Sequence, residues 1–145
     1  MTTDAKEKAQ KAAMRTQLRI QLNTETLHLN TLKTEKSTLE AKIKKLETAI
    51  KNIQSSKETF DSSSTTLGST TIESSFWQGE NATKANTEYS TIKENTTTAK
   101  TKIEDGLQKI EDKLTELEEE LIELESRVVN QEASVADLAN LLATI

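Results

Sequence analysis

Between Leu18 and Phe60, apolar side chains return at alternating intervals of four and three residues, and that spacing narrows the fold to one class. Two interleaved rows, each with a period of seven, carry the pattern. The first runs Leu18, Glu25, Leu32, Leu39, Leu46, Ile53 and Phe60; the second runs Leu22, Leu29, Lys36, Ile43, Ile50 and Lys57. Ten of these 13 positions are apolar, and the residues between them are mostly Lys, Glu, Thr, Asn and Gln. An α-helix gathers such positions into one narrow stripe, roughly 60 Å long at 1.5 Å per residue, which is the seam of a coiled coil. Upstream the rows continue as Arg15, Lys11 and Lys8, so the first turns are expected to be exposed or frayed. No proline interrupts the chain.

A second such run occupies the other end. Ile103, Leu107, Ile110, Leu114, Leu117, Leu121, Leu124, Val128, Gln131, Val135, Leu138, Leu142 and Ile145 keep the spacing, with 12 of 13 apolar. The stretch before it is weaker. Ala85, Tyr89, Ile92 and Ala99 hold intervals of three and four or their multiples, but Thr96-Thr97-Thr98 are poor helix formers. Two successive steps of four, Ala99 to Ile103 to Leu107 beside Gly106, suggest a bend or a change of partner there.

From Asp61 to Ser69 the pattern stops. The side chains of Asp61-Ser62-Ser63-Ser64-Thr65-Thr66 compete with helical hydrogen bonds, and Gly68 follows. Thr70-Thr71-Ile72-Glu73 reads as a capping box opening a short turn that carries Ile72 and Phe76. The chain is therefore expected to be all-α: one domain over 1–145, a long antiparallel helical hairpin with coiled-coil seams. Helix 1 spans about 3–60, a linker and turn 61–79, and helix 2 about 80–143.

Composition agrees and excludes much else. Only 33% of the 145 residues are hydrophobic and 3% aromatic, too few for a thick core but enough to line two stripes. With no cysteine there are no disulfides and no thiolate metal sites. No apolar run approaches the roughly 20 residues that span a bilayer. The opening Met1-Thr2-Thr3-Asp4-Ala5-Lys6 is polar, unlike a cleaved signal peptide, and direct membrane insertion is not expected. Residues 1–60 hold 12 Lys+Arg and 7 Asp+Glu, whereas 61–145 hold 7 and 17. The halves thus differ in sign, +5 against −10, which favours one lying on the other over either pairing with itself. The net charge of −5 and the lack of a basic patch among aromatics argue against nucleic acid.

Nothing in the sequence assembles a catalytic group. His28, the one histidine, falls beside the seam on the solvated side with no partner for a triad or a metal. Glu116, Glu118, Glu119, Glu120, Glu123 and Glu125 read as a solvated flank, because the Asp, Asn and Gly spacing of a Ca²⁺ loop is absent. No phosphate loop and no nucleophile with a base occur, so the chain is expected to be no enzyme and to hold no cofactor or metal. Glu25, Lys36, Lys57 and Gln131 are polar residues on the seams. Such residues cost stability and fix register or partner.

Phe76-Trp77-Gln78-Gly79-Glu80 lies at the joint of the two long helices. A large ring can pin a hairpin there, and a glycine can supply the positive φ of a reversal. With this motif and layout, the chain resembles the WXG-motif helical hairpins of type VII secretion. It is most similar to the small helical accessory proteins that accompany LXG-domain toxins. The resemblance implies a targeting partner, a chaperone-like adaptor that binds the helical N-terminal domain of a larger toxin and presents it to the secretion machinery. A second small accessory protein can join the stack. The location implied is the bacterial cytoplasm, with or without co-secretion. Family members usually carry an aromatic residue and an acidic one four positions later near the end of helix 2. Here Lys93 stands four after Tyr89, while Phe76 and Glu80 have the spacing but lie at the turn. The resemblance leaves open whether chain or partner carries the export signal.

The seam residues expected to meet a partner are Leu114, Leu117, Leu121, Leu124, Val128 and Leu138, with Leu32, Leu39, Ile43 and Leu46 from helix 1. The alternative is a homo-oligomeric structural coiled coil, such as a phage or surface component. A membrane-active hairpin toxin would need an apolar tip, and 61–71 is polar.

Overall fold

The computed structural model describes residues 2–70 and 79–145. Two α-helices account for nearly all of them: α1 (Thr3–Ser69) and α2 (Glu80–Thr144), with no strand among the described residues. The fold is an all-α helical hairpin. Ile72, Glu73, Phe76, Trp77 and Gln78, to which the sequence assigns a capping turn and the aromatic half of the turn motif, lie outside the described residues.

Two compact units divide the chain, one of Met1–Ile43 with Glu116–Ile145 and the other Lys44–Thr115. In the first, Arg15 donates to the Ile145 carbonyl at 2.6 Å, Lys33 Nζ lies 3.0 Å from Glu132, and Lys36 Nζ 3.9 Å from Glu125. Numbers rise on α1 as they fall on α2, so the segments are antiparallel. The second unit shows the same order. Gln54 bonds Glu111 at 3.4 Å, Lys57 lies 3.6 Å from Glu104, and the Tyr89 hydroxyl meets the Leu67 carbonyl.

Every one of the 26 seam positions named from the sequence is buried or half-buried, and the positions between them are almost all exposed. Packing is unequal between units. The first holds Leu18, Leu29, Leu32, Leu39, Ile43, Leu117, Leu124 and Val128 in its core; in the second, among described residues, only Ile50 is as deeply covered. Residues before Leu18 are helical and mostly exposed.

One boundary and one inward-facing position differ from the sequence reading. α1 does not end near Phe60 but runs to Ser69, so residues 61–69 are helix and not linker. The hydroxyls expected to compete with the helix support it instead. Ser64, Thr65 and Thr66 each donate to the carbonyl four residues back, at 2.9, 3.0 and 3.1 Å, and the seam continues through half-buried Ser64 and Leu67. In α2, Ile92 is exposed, and Lys93 and Thr96 take the inward face in its stead. The helix passes through Gly106 unbroken.

Leu32 is 2% exposed and Leu27, five residues earlier on the same helix, 68%. Leu32→Ala is expected to lose about 2–5 kcal/mol in urea unfolding by transfer and cavity terms. Leu27→Ala should stay within about 0.5 kcal/mol. Equal losses at the two sites would contradict this seam.

Candidate functional site

The seam expected to receive a partner is engaged within the chain. Leu32, Leu39, Ile43, Leu117, Leu124 and Val128 are buried, and Leu46, Leu114, Leu121 and Leu138 are half-buried, by the chain's own helices. The polar seam residues find each other in the same way. Gln131 donates its side-chain amide to the Glu25 carboxylate and, at 3.0 Å, to the Glu25 carbonyl. Lys36 reaches Glu40 on its own helix and Glu125 on the other. Polar atoms that can be satisfied only in one alignment set the register of an otherwise repetitive stripe.

In the second unit four charges alternate around the seam. Lys57 Nζ lies 2.8 Å from Asp61 Oδ2 and 3.6 Å from Glu104, and Lys100 Nζ lies 3.8 Å from Asp61 Oδ1. Asp61 Oδ1 is buried and has no hydrogen-bond partner among the described residues. The hydrogen bond from Lys57 holds the Asp61 carboxyl below its ordinary range, helped by the charge of Lys100 and opposed by burial. Accepted by Asp61, the same bond raises Lys57, again against burial. Nearby, Tyr89 places its one hydroxyl proton within reach of two carbonyls at the end of α1, those of Leu67 and Thr70. Lys93 Nζ sits 4.2 Å over the Tyr89 ring. Four residues after Tyr89 the chain thus carries a cation against the aromatic face.

Of the turn motif, Gly79 and Glu80 are described, and both are exposed. Gly79 has φ +74°, and its carbonyl accepts the first α2 bond from Thr83 N–H at 3.2 Å. A Cβ there would meet nothing, so what demands glycine is the backbone conformation and not space. Glu80 opens α2, where a carboxylate faces the positive end of the helix dipole.

What remains open is the outside. Met14, Ile20, Leu27, Ile122, Val129 and Leu141 are large apolar side chains of the first unit left about half exposed or more. Ile20 and Leu27, and likewise Ile122 and Val129, stand seven residues apart on faces turned away from the seam. Ile20 and Leu27 stand singly among polar neighbours, whereas Ile122, Val129 and Leu141 stand directly beside the seam residues Leu121, Val128 and Leu142; the heptad interval was the available signal. On α1 the threonines around Ile20 and Leu27 turn their hydroxyls inward. Thr16, Thr24, Thr31 and Thr34 each donate to the carbonyl four back, at 3.0–3.1 Å. A groove of about 430 Å³ beside the seam of the first unit is of mixed charge, lined by Glu35, Lys42, Glu120, Glu123, Arg127 and neighbours. No group of His, Cys, Asp or Glu suited to a metal ion occurs among the described residues. His28 is exposed, beside a small groove lined by Arg127 and Gln131.

Two outcomes follow. Glu25→Leu removes the carboxylate acceptor of the half-buried Gln131 amide, leaves it only the backbone carbonyl of residue 25, and is expected to cost about 1 kcal/mol, whereas adding Gln131→Leu should restore or exceed wild-type stability in urea. For Asp61, a carboxyl lowered in the folded state contributes stability present above its unfolded pKa and lost as pH falls through the folded value. The urea midpoint of wild type should therefore exceed that of Asp61→Asn at pH 7, and the difference should close below about pH 3.8. A pH-independent difference would exclude the ionic role.

No curated protein matches the chain. No solved structure matches it either. The YwqH-like family model matches residues 22–140, from the second turn of the α1 seam almost to the end of the α2 seam. That span includes both faces of the hairpin, so the chain belongs to the YwqH-like family.

Proposed function

We propose that this chain is a non-catalytic helical partner that binds the helical N-terminal domain of a larger, LXG-like toxin and targets it for type VII export. The observation that carries the reading is the family match over residues 22–140, because YwqH-like proteins are associated with LXG toxin systems. The physical properties of the hairpin support it. A two-helix unit buries one stripe and leaves others in water, and each Leu or Ile that a partner covers contributes roughly 1.5–3 kcal/mol before association costs. No described helix is long and apolar enough to cross a membrane, which suits an adaptor that meets its cargo in the bacterial cytoplasm. A second small helical protein completing the stack fits the same chemistry.

The test is to tag the chain in its native host, purify it, and identify what co-elutes by mass spectrometry. One large protein with a helical N-terminal domain, in fixed ratio, is the expected result. Recovery of the chain alone as a symmetric homo-oligomer would instead make it a structural coiled coil.

A further inference from the structure

In the first unit the core of the inner seam is covered by the chain's own helices, which leaves the outer faces for a partner's helix. Resting on the adaptor reading above, we propose that the surface used is the outer face of α2, centred on Ile122 and Val129. Its occupant is a partner helix with apolar residues at heptad spacing flanked by Lys and Arg.

Three observations point there. First, Ile122 and Val129 are 67% and 62% exposed, although Leu121 and Val128 beside them belong to the seam. Second, the positions that continue their row at intervals of three and four, Ser126, Ala133 and Ala136, are small and exposed. At 100° per residue these five positions fall within about 80° of one another, and some 150° from the seam. They form a second seam, shallow enough for a helix to approach closely. Third, its rim is acidic. Between Glu116 and Glu132 the helix carries seven Glu and one Arg. Glu118 and Glu125 flank the row on one side, Glu119 and Glu123 on the other. Glu125 is joined to Lys36, but no ion pair to a basic residue is formed by Glu118, Glu119 or Glu123 among the described residues. Carboxylates left without counter-charges around an apolar row select a basic-flanked helix and repel an acidic one.

A second copy of this chain fits less well. The amino-terminal turns of α1 are basic, with Lys8, Lys11, Arg15 and Arg19, so copies are complementary in charge. Yet α1's outer face in one copy against α2's outer face in the next is a head-to-tail contact. Such a contact closes only where its rotation completes a ring, and otherwise leaves the same two faces free at the ends. The outer face of α1 also lacks an acidic rim: between Lys8 and Thr24 there is no Asp or Glu.

The experiment uses the full chain purified from its native host with whatever toxin it carries. Ile122→Asp with Val129→Asp removes the apolar row; Glu118→Lys with Glu119→Lys and Glu123→Lys reverses the rim and leaves the row intact. All five positions are exposed, so circular dichroism and the urea midpoint should match wild type. Each variant is expected to recover at least tenfold less toxin, whereas Ile20→Asp with Leu27→Asp recovers it as wild type does. A photo-cross-linker replacing Ser126 should label a toxin segment richer in Lys+Arg than in Asp+Glu. The inference is overturned if folded α2 variants keep the toxin, if the α1 variant alone loses it, or if the labelled segment is acidic. Concentration-dependent growth into long assemblies through this face would assign it to self-association and overturn the inference too. A wild-type chain that recovers no toxin defeats the adaptor reading itself, and this inference with it.

Discussion

An apolar stripe one helix face wide can be taken out of water only by another stripe of the same width. That constraint governs the molecule. It pairs Leu32, Leu39 and Ile43 of α1 with Leu117, Leu124 and Val128 of α2 in one core. It also makes alignment a problem, because a heptad repeat slipped by seven residues still meets apolar with apolar. The polar interruptions resolve the degeneracy. Glu25 meets Gln131, Lys36 meets Glu125, and Lys57 meets Glu104, and each bond is lost if the helices slide by one heptad. Individually these exposed or half-exposed contacts are weak, about 0–1 kcal/mol. Their value lies in distinguishing one alignment from its neighbours.

The same constraint explains what could be read from the residues beforehand. Seam positions were legible because periodicity of seven is a property of the backbone and needs no knowledge of the partner. The continuation of α1 past Phe60 was not, because serine and threonine are ambiguous: their hydroxyls break a helix when they bond locally in other conformations and support it when they bond four residues back. Phe60, Ser64 and Leu67 had the right intervals, and composition obscured them. Ile92 failed for the opposite reason, an apolar residue in step with its neighbours but displaced by one position from the face that Tyr89, Lys93 and Thr96 share. For the surface, the reading named the seam as the partner-binding element, and ten of its leucines, isoleucines and valines are engaged inside the hairpin. The outer rows at Ile20 and Ile122 escaped it because exposure depends on where the other helix lies.

The two units differ in what holds them. In the first, branched aliphatic side chains interlock; in the second, lysines, hydroxyls and a tyrosine occupy seam sites, and charges of alternating sign fill in. Among the described residues of the Lys44–Thr115 unit only Ile50 is deeply buried, so this unit has less apolar packing to oppose local opening than the first.

The longest-range contacts also set a schedule for biosynthesis. Arg15 is hydrogen-bonded to Ile145, a separation of 130 residues, and Glu25 to Gln131, a separation of 106. At about 5–20 residues per second of synthesis, the amino-terminal half of α1 leaves the ribosome many seconds before its mate exists. During that interval Leu18, Leu29 and Leu32 face water as a naked greasy strip on a basic helix. Until α2 is made, that strip has no mate within its own chain, and the hairpin closes only when the last turns of α2 arrive.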